Sequence, residues 1–148
     1  MLTTYFLVLY LVSLALGYQL RFSEATLHIG RSLSTTGSKT GFQDAITPPN
    51  AASLGFGIYG LSLAVLAFGF MHYGATAGIT ALFLFGFCLA VNRVVFLPTA
   101  DSQHFHKIII GSMIRRHADY VRDGDKLRAA AMVDLLQRAG VSLEFLTP

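Results

Sequence analysis

The sequence predicts an all-α integral membrane protein, with three transmembrane helices followed by an amphipathic helical hairpin on the side that holds the C-terminus. Three observations predict it. Only 13% of the 148 residues are charged while 53% are hydrophobic, and the mean hydropathy is +0.56; a soluble domain carries roughly 25% charged residues. The charges are segregated, with none between residues 1 and 20 and none between 45 and 92. From residue 99 onward, apolar positions recur at helical spacing among charges of both signs. This composition excludes a disordered chain. A formal charge of +3 provides no field for a nucleic-acid partner, and a single cysteine excludes an intrachain disulfide.

The first tract, residues 1–20, is apolar on every helical face and meets the roughly 20 residues that a span requires. Because no basic segment precedes it, it reads as a retained span over 2–20 rather than a cleavable leader. The second tract, 45–92, is about twice as long as one crossing at about 1.5 Å per residue, so it must fold back once. The crossing point falls at Met71-His-Tyr-Gly74, where His72 and Tyr73 suit an interface and Gly74 suits a tight connection. This places the second and third spans at about 52–70 and 75–97, with Pro98 closing the hairpin that occupies 51–98.

Residues 21–50 form a polar connection. Within it, 23–33 has the pattern of a short interfacial helix, and Thr47-Pro-Pro-Asn50 sets an extended approach to the second span. Gly37-Ser-Lys-Thr40 lacks the glycine spacing of a phosphate loop. In the tail, 99–148, Asp101 or Ser102 caps a helix whose apolar stripe is Phe105, Ile109, Met113 and Val121. Arg122-Asp-Gly-Asp125 turns, Asp125 caps a second helix, and Gly140 ends it in a left-handed conformation. The final apolar residues 141–146 suit docking, as a strand or otherwise.

The eleven Lys and Arg lie either between the first two spans (Arg21, Arg31, Lys39) or at and after the end of the third (Arg93 to Arg138). Three spans put both groups on one side, which gives an N-out, C-in orientation in a bacterial cytoplasmic membrane or an organellar inner membrane. After residue 99 seven basic residues face six acidic ones, a mixture that suits a protein surface better than electrostatic attachment to lipid.

Small residues mark the packing surfaces. Ser53, Gly57, Gly60, Ala64 and Ala67 form one stripe on the second span, and Gly74, Gly78, Gly86 and Ala90 form patches on the third. Close backbone approach along such stripes is a main source of association energy in lipid. Antiparallel packing of the two spans on each other is the simplest use for them, and another subunit is the alternative. The phenylalanines at 68, 70, 83, 85, 87 and 96 read as packing and lipid-facing side chains.

Few residues suit chemistry. His72 is the one candidate cofactor-binding side chain, as an axial ligand to haem or a pigment, although no second ligand accompanies it in the spans. Asn92 and Arg93 form the one strongly polar pair near a span, a candidate polar path, with Arg93 close enough to the interface to snorkel. His104, His106 and His117 lack a metal-ligand spacing, and Cys88 lacks an activating base. No catalytic set is present, so no enzyme, cofactor or metal is expected, while bound lipid is. The expected role is a non-catalytic accessory subunit of a larger energy-converting or transport complex. Its partners would be other membrane subunits, with a homo-oligomer possible. A small oligomeric channel or transporter and a haem- or pigment-binding anchor are the alternatives.

Overall fold

The computed structural model describes residues 2–33, 46–48 and 50–142. Among these no strand occurs. The elements are α1 (Leu2–Leu33), α2 (Ala51–Val91), a π-helical turn (Asn92–Phe96), α3 (Gln103–Arg122) and α4 (Lys126–Arg138). Two helical stretches, Leu2–Leu33 and Ala51–Phe96, are long and apolar enough to cross a membrane. The chain divides into two compact units. One comprises Met1–Ser23 and Asn50–Thr99, the other Glu24–Pro49 and Ala100–Pro148.

In the first unit, α2 is broken at Gly74, whose φ of 85° and ψ of 172° lie outside any helix. A side chain at a positive φ of this kind is strained, and glycine is not. The break reverses the chain. Phe70 of the first arm (51–73) packs on Gly78 of the second arm (75–91), a contact impossible along one straight helix, where eight residues span about 12 Å. Against both arms lies α1. Its residue 5 meets residue 69, and its residue 19 meets residue 55, so it runs antiparallel to the first arm.

All three helical segments bury a seam with steps of three and four residues. On α1 it is Tyr5, Leu9, Val12, Leu16 and Gln19; on the first arm, Gly55, Ser62 and Gly69, with Ile58, Val65 and Leu66 half-buried; on the second arm, Gly78, Ala81, Phe85 and Asn92. This 3.5-residue average keeps one face of each helix inward along its whole length. The first-arm seam alternates small with large residues. A Cβ at Gly55 would sit 3.0 Å from Gln19 Nε2, and one at Gly69 would overlap the Tyr5 hydroxyl. Glycine thus admits the long side chains of α1, and the large residues between fill the intervening space.

The expected stripe lies elsewhere. Ser53, Gly57, Gly60, Ala64 and Ala67 are all exposed, and nothing comes within 4 Å of a Cβ built at Gly57 or Gly60. The stripe is displaced by two residues from the buried seam, and two residues turn a helix by about 200°, which places it on the opposite face. On the second arm, Gly78 is buried, whereas Gly74, Gly86 and Ala90 are exposed. The expectation that these surfaces face each other within one chain is therefore corrected: the chain packs through mixed small and large seams. Of the phenylalanines, Phe85 is in the core, Phe70 covers Gly78, and Phe83, Phe87 and Phe96 are exposed.

In the second unit, α1 continues unbroken past residue 20 to Leu33, taking in the 23–33 segment expected as a separate helix and burying Ala25, Ile29 and Leu33. Helix α3 buries Phe105, Ile109 and Met113 and packs against α4, which buries Ala129, Met132 and Leu136. Val121, placed on the same stripe by the sequence, is exposed. The expected turn, the Asp125 cap and the left-handed Gly140 end are present. Gly124 and Gly140 have positive φ, and the Asp125 carboxylate accepts from Arg128 N–H at 3.0 Å. Ser102 stands at the start of α3 without making a side-chain cap. Pairs Arg122–Asp119, Arg128–Asp125 and Arg138–Asp134 (3.1, 3.4 and 2.8 Å) set tail cations beside acids on the same or adjoining turns; exposed pairs of this kind contribute at most about 1 kcal/mol each. The loop readings at 37–40 and the apolar end at 143–146 fall outside the described residues.

The seam geometry makes a contrast measurable. Gly69→Ala is expected to destabilise the detergent-solubilised protein by about 1–3 kcal/mol through overlap with Tyr5, read as a lowered thermal unfolding midpoint. Gly57→Ala, with open space around it, should be neutral or stabilising by up to about 1 kcal/mol.

Candidate functional site

Side chains capable of recognition collect at two places in the first unit. The first is the Gly74 end, where the reversal brings Tyr73 against Tyr5, with ring centroids 5.3 Å apart. His72 stacks on Phe68 at 5.0 Å and meets Tyr73 edge-on at 4.8 Å. Phe68 also approaches Tyr5 at 6.2 Å and Tyr73 at 6.1 Å. These separations are those of attractive aromatic pairs. The hydroxyl of Tyr5 donates to the Val65 carbonyl at 3.3 Å, tying α1 to the first arm. Beside the rings lies a groove of about 520 Å³ lined by Thr4, Tyr5, Val8, Ala64, Val65, Phe68, His72 and Tyr73.

His72, the candidate ligand from sequence, is therefore an exposed member of a ring cluster. Among the described residues no group of three or more His, Cys, Asp or Glu side chains is placed to hold a metal ion. Sequence reasoning placed His72 and Tyr73 together at the crossing point but did not single out Tyr5, which joins the cluster through Phe68 and Tyr73. Tyr5 carries a usable signal, as the first position of the repeating seam of α1.

The second place is the opposite end of the arms. Asn92 is fully buried, and its Nδ2 donates to Ser13 Oγ at 3.2 Å, while the Ser13 hydroxyl donates to the Tyr10 carbonyl at 2.7 Å. The Asn92 Oδ1 is buried without a hydrogen-bond partner. At Asn92 the helix widens into a π-turn, in which Leu97 N–H bonds the Asn92 carbonyl at 2.9 Å. The same pattern one residue on would need an N–H at Pro98, which has none. The Arg93 carbonyl is instead met by Arg21, whose Nη2 donates to it at 2.8 Å. An arginine of one helix thus caps the C-terminal end of another, where a cation is also favoured by the helix dipole.

The structure does not bring Asn92 and Arg93 together as a pair. Asn92 faces the core, while Arg93 is half-buried, with its Cγ 3.7 Å from a Cβ built at Gly17. Their partners, Ser13 and Arg21, were not singled out from sequence. The signal for both was present, because Ser13, Gly17 and Arg21 lie four residues apart on one helical face, and Pro98 announces an orphaned carbonyl one turn earlier.

No family model matches the chain, and no curated protein or solved structure matches it. Its class is stated from fold and chemistry alone: an all-helical chain with two helices long and apolar enough to span a membrane.

The Ser13–Asn92 pair yields a test in which two substitutions differ in cost. Ser13→Ala leaves the Asn92 amide with no partner on either side and should cost about 1–2 kcal/mol. Asn92→Leu removes the unpaired oxygen together with the amide and should cost less than Ser13→Ala, and the double variant should be no worse than Asn92→Leu alone. Thermal unfolding midpoints of the four proteins in one detergent check this.

Proposed function

We propose that the protein is a three-span membrane protein, oriented N-out and C-in, that serves as a non-catalytic accessory subunit of a larger energy-converting or transport complex. The observation that carries the reading is the outward stripe of Ser53, Gly57, Gly60, Ala64 and Ala67. It is continuous, small, and left uncovered by the chain's own packing. In lipid such a surface associates with another helix by close van der Waals contact, so it suits a neighbouring subunit, with a second copy of the chain as the alternative occupant.

Two further features agree. The outer surface of the first unit is apolar, with Phe56, Leu63, Phe83 and Phe87 exposed, as a lipid-facing surface requires. Its buried polar side chains are Ser13, Gln19, Ser62 and Asn92, and Ser13 and Asn92 bond each other while Ser62 bonds its own helix at Ile58. Conduction and transport need polar groups available to a substrate, which weighs against the channel reading. The tail helices, with ion pairs along their own surfaces, suit docking to soluble parts of an assembly.

Purification of the tagged full-length chain in mild detergent should recover a defined set of membrane partners by mass spectrometry, and Gly57→Leu with Gly60→Leu should release them without lowering the unfolding midpoint. A free monomer in native mass spectrometry would reject the accessory role. Orientation has its own test. In a Cys88→Ser background, Met71→Cys should react with an impermeant maleimide applied outside intact cells, and Gln137→Cys only after permeabilisation.

A further inference from the structure

The groove at the Gly74 end has a chemical gradient along its length. At the turn lie Thr4, His72 and Tyr73; next come the rings of Tyr5 and Phe68; furthest from the turn are Val8, Ala64 and Val65. From residue 73 to residue 64 the first arm advances about 13 Å, the length of a ring with the start of a chain. The turn end is polar yet uncharged, since residues 1–20 and 45–92 contain no Lys, Arg, Asp or Glu. Among the described residues, the Tyr73 hydroxyl, the His72 imidazole and the Thr4 hydroxyl make no side-chain hydrogen bond, whereas the Tyr5 hydroxyl is committed to Val65. Tyr73 and Thr4 each offer an O–H donor, and a neutral imidazole offers one N–H.

We infer that this groove binds an uncharged planar-ring amphiphile bearing carbonyl oxygens and an apolar tail, of the quinone class. Each part of the groove selects one part of such a molecule. With no Lys, Arg, Asp or Glu in either uncharged tract, the groove offers a phosphate or ammonium headgroup no ion pair. Exposed aromatic surface on Phe68 and His72 suits a flat ring, which stacks or meets them edge-on. Donors at Tyr73, His72 and Thr4 match carbonyl acceptors at the ring's rim. The aliphatic end, small at Ala64, admits a chain that continues into lipid. The inference rests on the membrane placement of the hairpin; Ala64 belongs also to the outward stripe, so the test uses the chain without partner subunits.

The test uses the full-length chain in lipid nanodiscs and a short-tail benzoquinone, measured by equilibrium dialysis against empty nanodiscs. Saturable binding of one equivalent per chain above the empty discs is expected. His72→Leu combined with Tyr73→Phe should weaken it about tenfold or more, and Phe68→Leu several-fold. Phe83→Leu, at an exposed ring away from the groove, should leave it unchanged. Ala64→Phe approaches from the aliphatic side, at an exposed position, and should abolish binding with the unfolding midpoint retained, so that a folding defect in the double variant does not decide the outcome. Three results would each overturn the inference: no uptake above empty discs, unchanged affinity in both the double variant and Ala64→Phe, or displacement by an alkyl alcohol of equal chain length as readily as by the quinone. The last result would identify the groove as an acyl-chain crevice.

Discussion

The backbone of Gly74 is the constraint on which the first unit depends. Residues 45–92 carry no charge and would otherwise continue as one long apolar helix. One residue in a conformation that only glycine adopts freely turns that stretch into two packed arms. The contacts between the arms and those of the second-arm end with α1 follow from the reversal: Phe70 on Gly78, and Asn92 against Ser13. Nothing lies within 4 Å of a Cβ built at Gly74, so its requirement for glycine is one of backbone conformation and not of space.

The two ends of the unit solve different problems. At the turn, tight reversal and the absence of charge are met by aromatic rings, which give large contact area while keeping polar tips for the interface. At the other end, the chain must leave its helix before Pro98 and has carbonyls to satisfy. There the helix widens to a π-turn, Asn92 turns into the core, and Arg21 supplies the donor that Pro98 lacks. The side chain of Arg21 therefore closes a helix end of a different segment. Of the polar groups at this end, Asn92 Oδ1 remains buried and unpaired, a local cost carried by the surrounding packing.

Much of this architecture is legible in the sequence because it is written in composition. The uncharged tracts, the reversal at 71–74, the Asp125 cap and the Gly124 and Gly140 turns follow from rules that act over a few residues. The packing face was not legible by the same route. The search for a uniform run of small residues selected 53, 57, 60, 64 and 67, whereas the chain buries 55, 62 and 69 between large neighbours. Two heptad-spaced sets coexist on one helix, and only the side chains of α1, with Tyr5 and Gln19 reaching into glycine gaps, decide which is used. That choice depends on residues that lie far away in the sequence, beyond the reach of any local pattern. The same holds for the ring cluster around His72, in which Phe68 and Tyr73 come from the first arm and Tyr5 from α1.

A helix that satisfies its own core through 55, 62 and 69 has no structural need for glycine at 57 and 60, where no neighbour approaches and where glycine weakens the helix by up to about 1 kcal/mol each relative to alanine. Two such positions on a regular stripe with Ser53, Ala64 and Ala67 carry a cost that no neighbour among the described residues offsets. In lipid the compensation available to a flat helix face is close approach by another helix. A core seam that binds α1 and an opposite seam that remains flat give the first arm two packing faces, one used in folding and the other suited to assembly.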